Sequence, residues 1–462
     1  MLLDCQGYLT LLELGLGGAL SPLLARALAR GDDSALKQAM AVASQAYLGI
    51  SVATLVVGAG ATVIVLRLVT GLSPSEIADF RTAWLVGLLS FLTLGLVPFR
   101  TIIEARQHGY RINLLLTGQA LVVTSVSLIL ARGGWGITGQ SVASVLGAWG
   151  FSIIVTAAVL WNQPSLIRSW IRRTDRQTRL SLGSLSAATF MINLSGRVSL
   201  MTDNLVVGAM LGTGQVTTLF FTQRLASLMQ TLLGGVGSSI WAPLADLHAR
   251  GEHEAFNRRL IELSRLVGFL SVTALAPIVV YNRHFVRLLM GPSFQYGGDT
   301  VIILAALNAF LLAQFALWGW CFSGTGQIRK VVATSVVSAL VNVIASIVMT
   351  HWLGLVGPLL GTTISCLTVN LWSLPILLQR VFGIPIRALA AAVGIPFISG
   401  LLFALALGWL IRDHGPQGWM GLIAEMSLAA TLFLGSVGIA VVANTEERNL
   451  WRLRWQAIFS KG

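Results

Sequence analysis

A chain of 462 residues that is 55% hydrophobic and only 11% charged, with a mean hydropathy of +0.79, is not an ordinary soluble domain, since those carry about 25% charged residues. Its net charge of +13 comes from basic residues spaced between apolar segments along the whole chain, a spacing that orients membrane helices rather than one that gathers nucleic acid on a single element. Cys5, Cys321 and Cys366 are too few and too scattered for a disulfide framework or a metal cluster and read as packing thiols. The six histidines fall in predicted loops or at helix ends, with no pair at helical spacing inside a span, so neither a metal nor a cofactor is expected.

Thirteen apolar runs follow in chain order: 3–25, 39–66, 82–103, 113–130, 137–160, 183–211, 216–242, 266–280, 301–322, 331–349, 355–378, 389–411 and 421–443. Most approach or exceed the roughly 20 residues that cross a hydrocarbon core. If the loop after the first run is cytoplasmic, alternation puts Arg26, Arg30, Lys37, Arg100, Arg106, Arg111, the five arginines between Arg168 and Arg179, and Arg250 to Arg265 on that side. Arg329, Lys330, Arg380, Arg387 and the basic tail join them, against Arg67, Arg81, Arg132, Arg283, Arg287 and Arg412 opposite, a bias of about four to one. The basic stretch RSWIRRTDRQTR is a cytoplasmic linker between two halves, or a contact for anionic lipid headgroups.

The halves repeat. Residues 15–39, GLGGALSPLLARALARGDDSALKQA, align with 235–259, GVGSSIWAPLADLHARGEHEAFNRR, and Arg111, Gly136 and Gly139 align with Arg329, Gly354 and Gly357 at nearly the same offset. The first span maps onto the seventh, so both copies run in the same direction, the parallel-repeat case. The expected fold is an all-α polytopic membrane protein of about 13 helices in two parallel six-helix repeats, plus an extra C-terminal helix pair. Its expected parts are an N-terminal lobe at 1–162, a linker at 163–182, a C-terminal lobe at 183–380, and the helix pair and tail at 381–462. The second repeat starts one helix before its matching segment, which predicts a further helix ahead of Met1 and fourteen in all.

Polar residues inside spans are the candidate site, because a charge at mid-bilayer costs at least ~2.5–3.5 kcal/mol unless paired or hydrated. Ser186, Asn193, Arg197 and Asn204 recur at helical steps in the run 183–211, flanked by Asp203 and interrupted by Leu200. The next run carries Gln223, Arg224, Ser227, Gln230, Thr231 and Gly234 in a similar stripe. Both stripes are expected to face a wet cavity between the lobes. Asp203 and Arg224 lie at similar heights on either side of the turn at 212–214, so a neutralising ion pair is one reading. Arg197 lies deeper with no local acid and meets either an anionic substrate or backbone carbonyls. Glu13 and Glu425 are lone acids, each a proton or cation site or a partner for an arginine. Gly15/Gly17 and Gly235/Gly237 are either hinges or points of close packing. No phosphate-binding loop appears, and short loops with dispersed histidines argue against an enzyme such as a glycosyltransferase or polymerase.

LLELGLGGALSPLLARALARGD near the start resembles the second-helix region of bacterial polysaccharide flippases, the Wzx-like branch of the superfamily that also holds multidrug/toxin extruders and lipid II flippases. SGRVSLMTDNLVVGAMLGTGQV resembles their seventh helix, and FSGTGQIRKVVATSVVSALVNVIASIVMTHWLGLVGPLLGTTIS their tenth and eleventh. The resemblance covers nearly the whole chain. It implies a MATE-like transporter with two lobes around a central cavity, alternating access, and movement of an undecaprenyl-diphosphate-linked oligosaccharide to the outer leaflet of a bacterial inner membrane. Arg197 and Arg224 would then neutralise the diphosphate, with membrane lipids, a polysaccharide polymerase and glycosyltransferases as partners. Two alternatives stand beside it: an ion-coupled multidrug exporter of the same superfamily, and a non-transporting membrane subunit of a glycan assembly complex.

Overall fold

The computed structural model describes residue 9, residue 13, and residues 16–29, 31–63, 74–106, 108–171, 174, 176–412 and 415–443. Among them every regular element is helical, and nine stretches are long and apolar enough to cross a membrane. The chain is therefore a multi-pass membrane protein. One of the nine, Arg329–Phe382, folds back at Gly354 and holds two of the expected runs. The first-helix question and the tail beyond residue 443 lie outside the described residues.

The chain opens with α1 (Leu16–Ala29) and α2 (Asp33–Gly60). Asp32 starts α2 because its carboxylate accepts from the free backbone N–H groups of Ser34 at 3.0 Å and Ala35 at 2.9 Å. The next span is not one regular helix. After α3 (Pro74–Leu88) the backbone tightens into a 3₁₀ stretch over Leu89–Leu96 before α4 (Val97–Ala105). Ser51 from α2 donates to the Phe91 carbonyl within that stretch at 2.9 Å, tying its backbone to the neighbouring helix. Two hydrophobic helices, α5 (Gly109–Arg132) and α6 (Gly136–Asn162), follow, then a short 3₁₀ segment at Pro164–Ile171.

The long helices α7 (Arg176–Leu211), α8 (Thr213–Ala249) and α9 (His253–Met290) extend past the runs visible in hydropathy. Hydropathy registers only the apolar middle, whereas the helical backbone continues into charged ends such as Arg258, Arg259, Glu262 and Arg265. Next come α10 (Asp299–Gly324), α11 (Arg329–Leu353) and α12 (Gly357–Ser365). A π turn at Cys366–Asn370 leads into α13 (Leu371–Phe382). Gly383, left-handed at φ 73°, ends α13, and α14 (Ile386–Leu410) and α15 (Gly418–Ala443) complete the described chain.

Two compact units emerge, 1–196 with 322–335, and 197–321 with 336–462. In the first, Leu20, Leu24, Met40, Tyr47, Phe99, Ile102 and Leu166 form one core, in which α1, α2 and α4 meet the 3₁₀ segment after α6. In the second, α9 is the central helix. Its Gly268 faces Pro396 of α14, and Gly400 of α14 faces Val272 of α9, so each helix brings a bare backbone against the other's side chain. The spanning part of α5 buries none of its residues within the protein, as a lipid-facing helix would. Trp161 and Trp409, 90% and 76% exposed, sit at the ends of α6 and α14, where indole rings favour the membrane–water interface.

The repeat glycines have matching structural roles. Gly136 and Gly354 have φ of 49° and 58°, a left-handed conformation that suits glycine, and each closes a turn between spans. Three residues on, Gly139 lies against Leu130 and Trp135, and Gly357 against the Thr350 backbone, so in each hairpin the second helix starts close to the end of the first.

Candidate functional site

The rotation of α8 is fixed by its packed face. Thr218, Leu219, Thr222, Ala226 and Leu233 are buried. The Thr222 carbonyl accepts from Asn282 of α9 at 2.8 Å, and the Thr222 hydroxyl accepts from the Gly297 backbone N–H at 3.0 Å. Arg224 is two residues, about 200° of helix, away from Thr222, so it points from the other side together with Gln223 and Ser227. Among the described residues nothing accepts a hydrogen bond from Arg224; its contact is the Phe220 ring, whose centroid lies 5.0 Å from the guanidinium carbon. The side chains of Gln223 and Gln230 likewise have no hydrogen-bond partner among the described residues, and all three are half-buried. Ser227 and Thr231 turn their hydroxyls back onto the carbonyls of Gln223 and Ser227.

Asp203 and Arg224 do not form an ion pair. Similar height on two adjacent helices does not ensure that two side chains point at one another. Asp203 has one carboxylate oxygen, Oδ1, buried with no hydrogen-bond partner, while Arg224 stacks on Phe220. On α7, Ser186 is buried whereas Asn193 and Asn204 are exposed. Arg197 lies on the same helix, but its side chain is outside the described residues.

The two lone acids each meet a tyrosine. Tyr47, fully buried on α2, donates to Glu13 Oε1 at 2.7 Å. Gly17, one turn after Glu13, makes room for this bond, since a Cβ there would stand 2.9 Å from the Glu13 oxygen and 3.2 Å from the Tyr47 hydroxyl. Glu425 on α15 faces the hydroxyl of Tyr281 on α9. Gly237 also marks close packing, against Trp320 and Leu317 of α10, rather than an open joint. Gly15 is outside the described residues.

A second polar cluster, not anticipated from the sequence, joins α10, α11 and α12. Asn308 donates to the Leu359 carbonyl at 2.8 Å and accepts from Thr363 at 2.8 Å. Asn342 donates to Thr362 at 2.8 Å, Ser365 to the Ser338 carbonyl at 2.7 Å, and Asn370 to the Ser338 hydroxyl at 2.8 Å. Gly361 lets this happen by bringing the α12 backbone against that of Ser346. The amides and hydroxyls were visible within the runs 331–349 and 355–378, but nothing in their spacing distinguishes internal stitching from a ligand site. Tyr47 and Tyr281 were missed because each is an isolated aromatic, and Phe220 because it belongs to an apolar pair with Phe221, although it precedes Arg224 by four residues, the helical-neighbour spacing.

No family model matches the chain, and no curated protein matches it. Solved structures do. The lipid II flippase MurJ in an inward closed conformation superposes with a TM-score of 0.65 at 14% identity, over 96% of this chain and 93% of that one. An outward-facing multidrug resistance MATE family transporter of the MOP superfamily gives 0.59 at 15% identity, over 86% and 85%. A MOP superfamily transporter from Pyrococcus furiosus, described as having a binding pocket of reversed polarity, gives 0.58 at 14% identity, over 86% and 85%. The chain shares the fold of these proteins.

Proposed function

We propose that this chain is a transporter that moves an undecaprenyl-diphosphate-linked oligosaccharide from the cytoplasmic to the periplasmic leaflet of a bacterial inner membrane by alternating access, supplying polysaccharide biosynthesis. The observation that carries this reading is Arg224. Its backbone lies about 16 Å along α8 from the helix start, and its guanidinium has no acid or carbonyl among the described residues to accept its hydrogen bonds. A cation at such depth needs an anion or water, and a guanidinium fork matches the oxygens of a diphosphate in two parallel bonds. Arg197 is the second cation. Asn193, Asn204, Gln223 and Gln230 supply neutral donors and acceptors for sugar hydroxyls. Asp203, Glu13 and Glu425 are the groups through which an ion gradient couples to the movement. The fold shared with a lipid II flippase supports the reading, and a polymerase and glycosyltransferases are its expected partners.

The three intramembrane acids, together with the fold shared with multidrug transporters, favour a second reading, an ion-coupled exporter of cationic compounds. A deletion strain separates the two. The first reading predicts loss of surface polysaccharide, restored by the wild-type gene and not by Arg197→Ala with Arg224→Ala, at unchanged resistance to cationic dyes. Normal polysaccharide with new dye sensitivity would replace it by the second.

A further inference from the structure

The polar stripe of α8 ends in an aromatic ring that the diphosphate reading leaves without a role. Phe220 is 40% exposed, one helical turn from Arg224 toward the Gly212 end and on the same face. Gln223, Arg224 and Ser227 share that side of the helix with Phe220, ahead of the exposed Leu228 and Leu232 further along it, and an arginine with no anion or water does not face hydrocarbon. The ring is also held in place. Phe220 packs edge-on with Phe221 at 5.2 Å between centroids, and Phe221 packs edge-on with Phe294 from the connection between α9 and α10 at 5.8 Å. The Arg224 guanidinium lies over the Phe220 ring, so a flat apolar ligand face would meet the part of the ring that the guanidinium leaves exposed. Ring and guanidinium form an amphipathic pair, one part for an anion and the other for that face.

The geometry points to Phe220 as the stacking platform for the sugar joined to the diphosphate, and hence as a residue that separates glycan-bearing lipid from bare lipid diphosphate. A pyranose presents polarised C–H bonds on one face, and these match the negative face of a phenyl ring. A glycosyl diphosphate has one oxygen between its sugar and its phosphorus. A pyranose bound at Phe220 therefore keeps its phosphate on the same stretch of α8 as the Arg224 guanidinium, which lies over that ring. The half-buried amide of Gln223 is adjacent for the ring hydroxyls, the combination of an aromatic surface with a few polar groups that ligand sites use for orientation.

This inference rests on the lipid-diphosphate reading, and one experiment tests them apart. Full-length protein in nanodiscs is titrated with undecaprenyl diphosphate and with undecaprenyl diphosphate carrying a single hexosamine, and bound lipid is read by native mass spectrometry. Phe220→Ala and the apolar, similar-sized Phe220→Leu are expected to weaken the sugar-bearing lipid roughly tenfold and leave undecaprenyl diphosphate unchanged, while Phe220→Trp retains both. Arg224→Gln is expected to weaken both lipids alike. Phe220→Leu that binds the sugar-bearing lipid as wild type does, or that loses both lipids equally, overturns the stacking role. Bare diphosphate binding that Arg224→Gln does not weaken, or a wild type that binds neither lipid, is failure of the reading beneath it and takes the inference down with it.

Discussion

Asn308, Thr363 and Ser365 close their hydrogen bonds on neighbouring helices, whereas Gln223, Arg224 and Gln230 on α8 leave theirs open. Both groups put amides and hydroxyls into otherwise apolar helices of the same compact unit. In the first, helix backbones come within contact of one another at Gly361 and Gly357, and the short side chains reach across. In the second, only the Thr222 face of α8 is packed and stitched; away from it Ser227 and Thr231 bond back to their own helix, and the side chains of Gln223, Arg224 and Gln230 keep their donors unclaimed. Polar residues in membrane helices thus divide into those that join helices and those that await something from outside the chain, and the division depends on partners rather than on residue type.

That contrast breaks most sharply at the glycines. Gly361→Ala places a methyl against the Ser346 backbone, which cannot yield as a flexible side chain would; a loss of about 3 kcal/mol or more is expected, read as a lowered melting temperature in detergent. Gly234→Ala in the α8 stripe meets nothing within 4 Å and is expected to be neutral or to gain up to about 1 kcal/mol. Equal losses at both positions would erase the distinction.

At the level of single side chains, Asn308→Ala removes two interhelical bonds and is expected to cost about 1–2 kcal/mol of stability. Gln230→Ala should stay within about 0.5 kcal/mol of wild type while lowering substrate binding. Tyr47→Phe tests a third kind of site. It takes from Glu13 its hydrogen-bond donor, with an expected stability change of about 1 kcal/mol, and a larger effect on ion dependence of transport is expected if Glu13 is a coupling group.

The smallest expected effect lies outside the apolar spans. His248, at the end of α8, packs against His253, Phe256 and Phe382. Burial and then the neighbouring His253 hold its imidazole below the ordinary range. The unfolded chain therefore takes up the proton first as pH falls through about 6.5, so the α8–α9 turn is most stable above that pH and loses protection below it. Hydrogen exchange of that turn at pH 5 and pH 7.5, corrected for intrinsic rates, should show the difference, and His248→Phe should flatten it.

Nine of the stretches and the repeat were legible because hydrophobic length and glycine spacing are local properties, whereas the runs 183–211 and 216–242 fold as helices but are not among the described stretches apolar enough to cross a membrane. Gly136 and Gly354 both carry the left-handed turn, and Gly139 and Gly357 both mark the close approach that follows. Partnership was not legible, because it depends on how helices rotate about their axes. Tyr47 is 34 residues from Glu13 in the chain yet 2.7 Å away in space. Asp203 and Arg224, which counting from the turn at 212–214 puts at one height, do not pair. The irregular stretches at Leu89–Leu96 and Cys366–Asn370 were hidden inside uniform apolar runs, where hydropathy is blind to the backbone.

The claim that Arg224 carries the anionic part of a lipid-linked glycan is tested most directly in reconstituted vesicles. Undecaprenyl-diphosphate-linked oligosaccharide is placed in both leaflets, and the fraction that becomes accessible to an external glycosidase is followed with time. The account predicts that wild-type protein exposes the inner pool well above the rate of protein-free vesicles, and that Arg224→Ala slows this about tenfold or more, on the scale of a lost charge-assisted bond. An Arg224→Ala protein as fast as wild type, or a wild type no faster than empty vesicles, would contradict it.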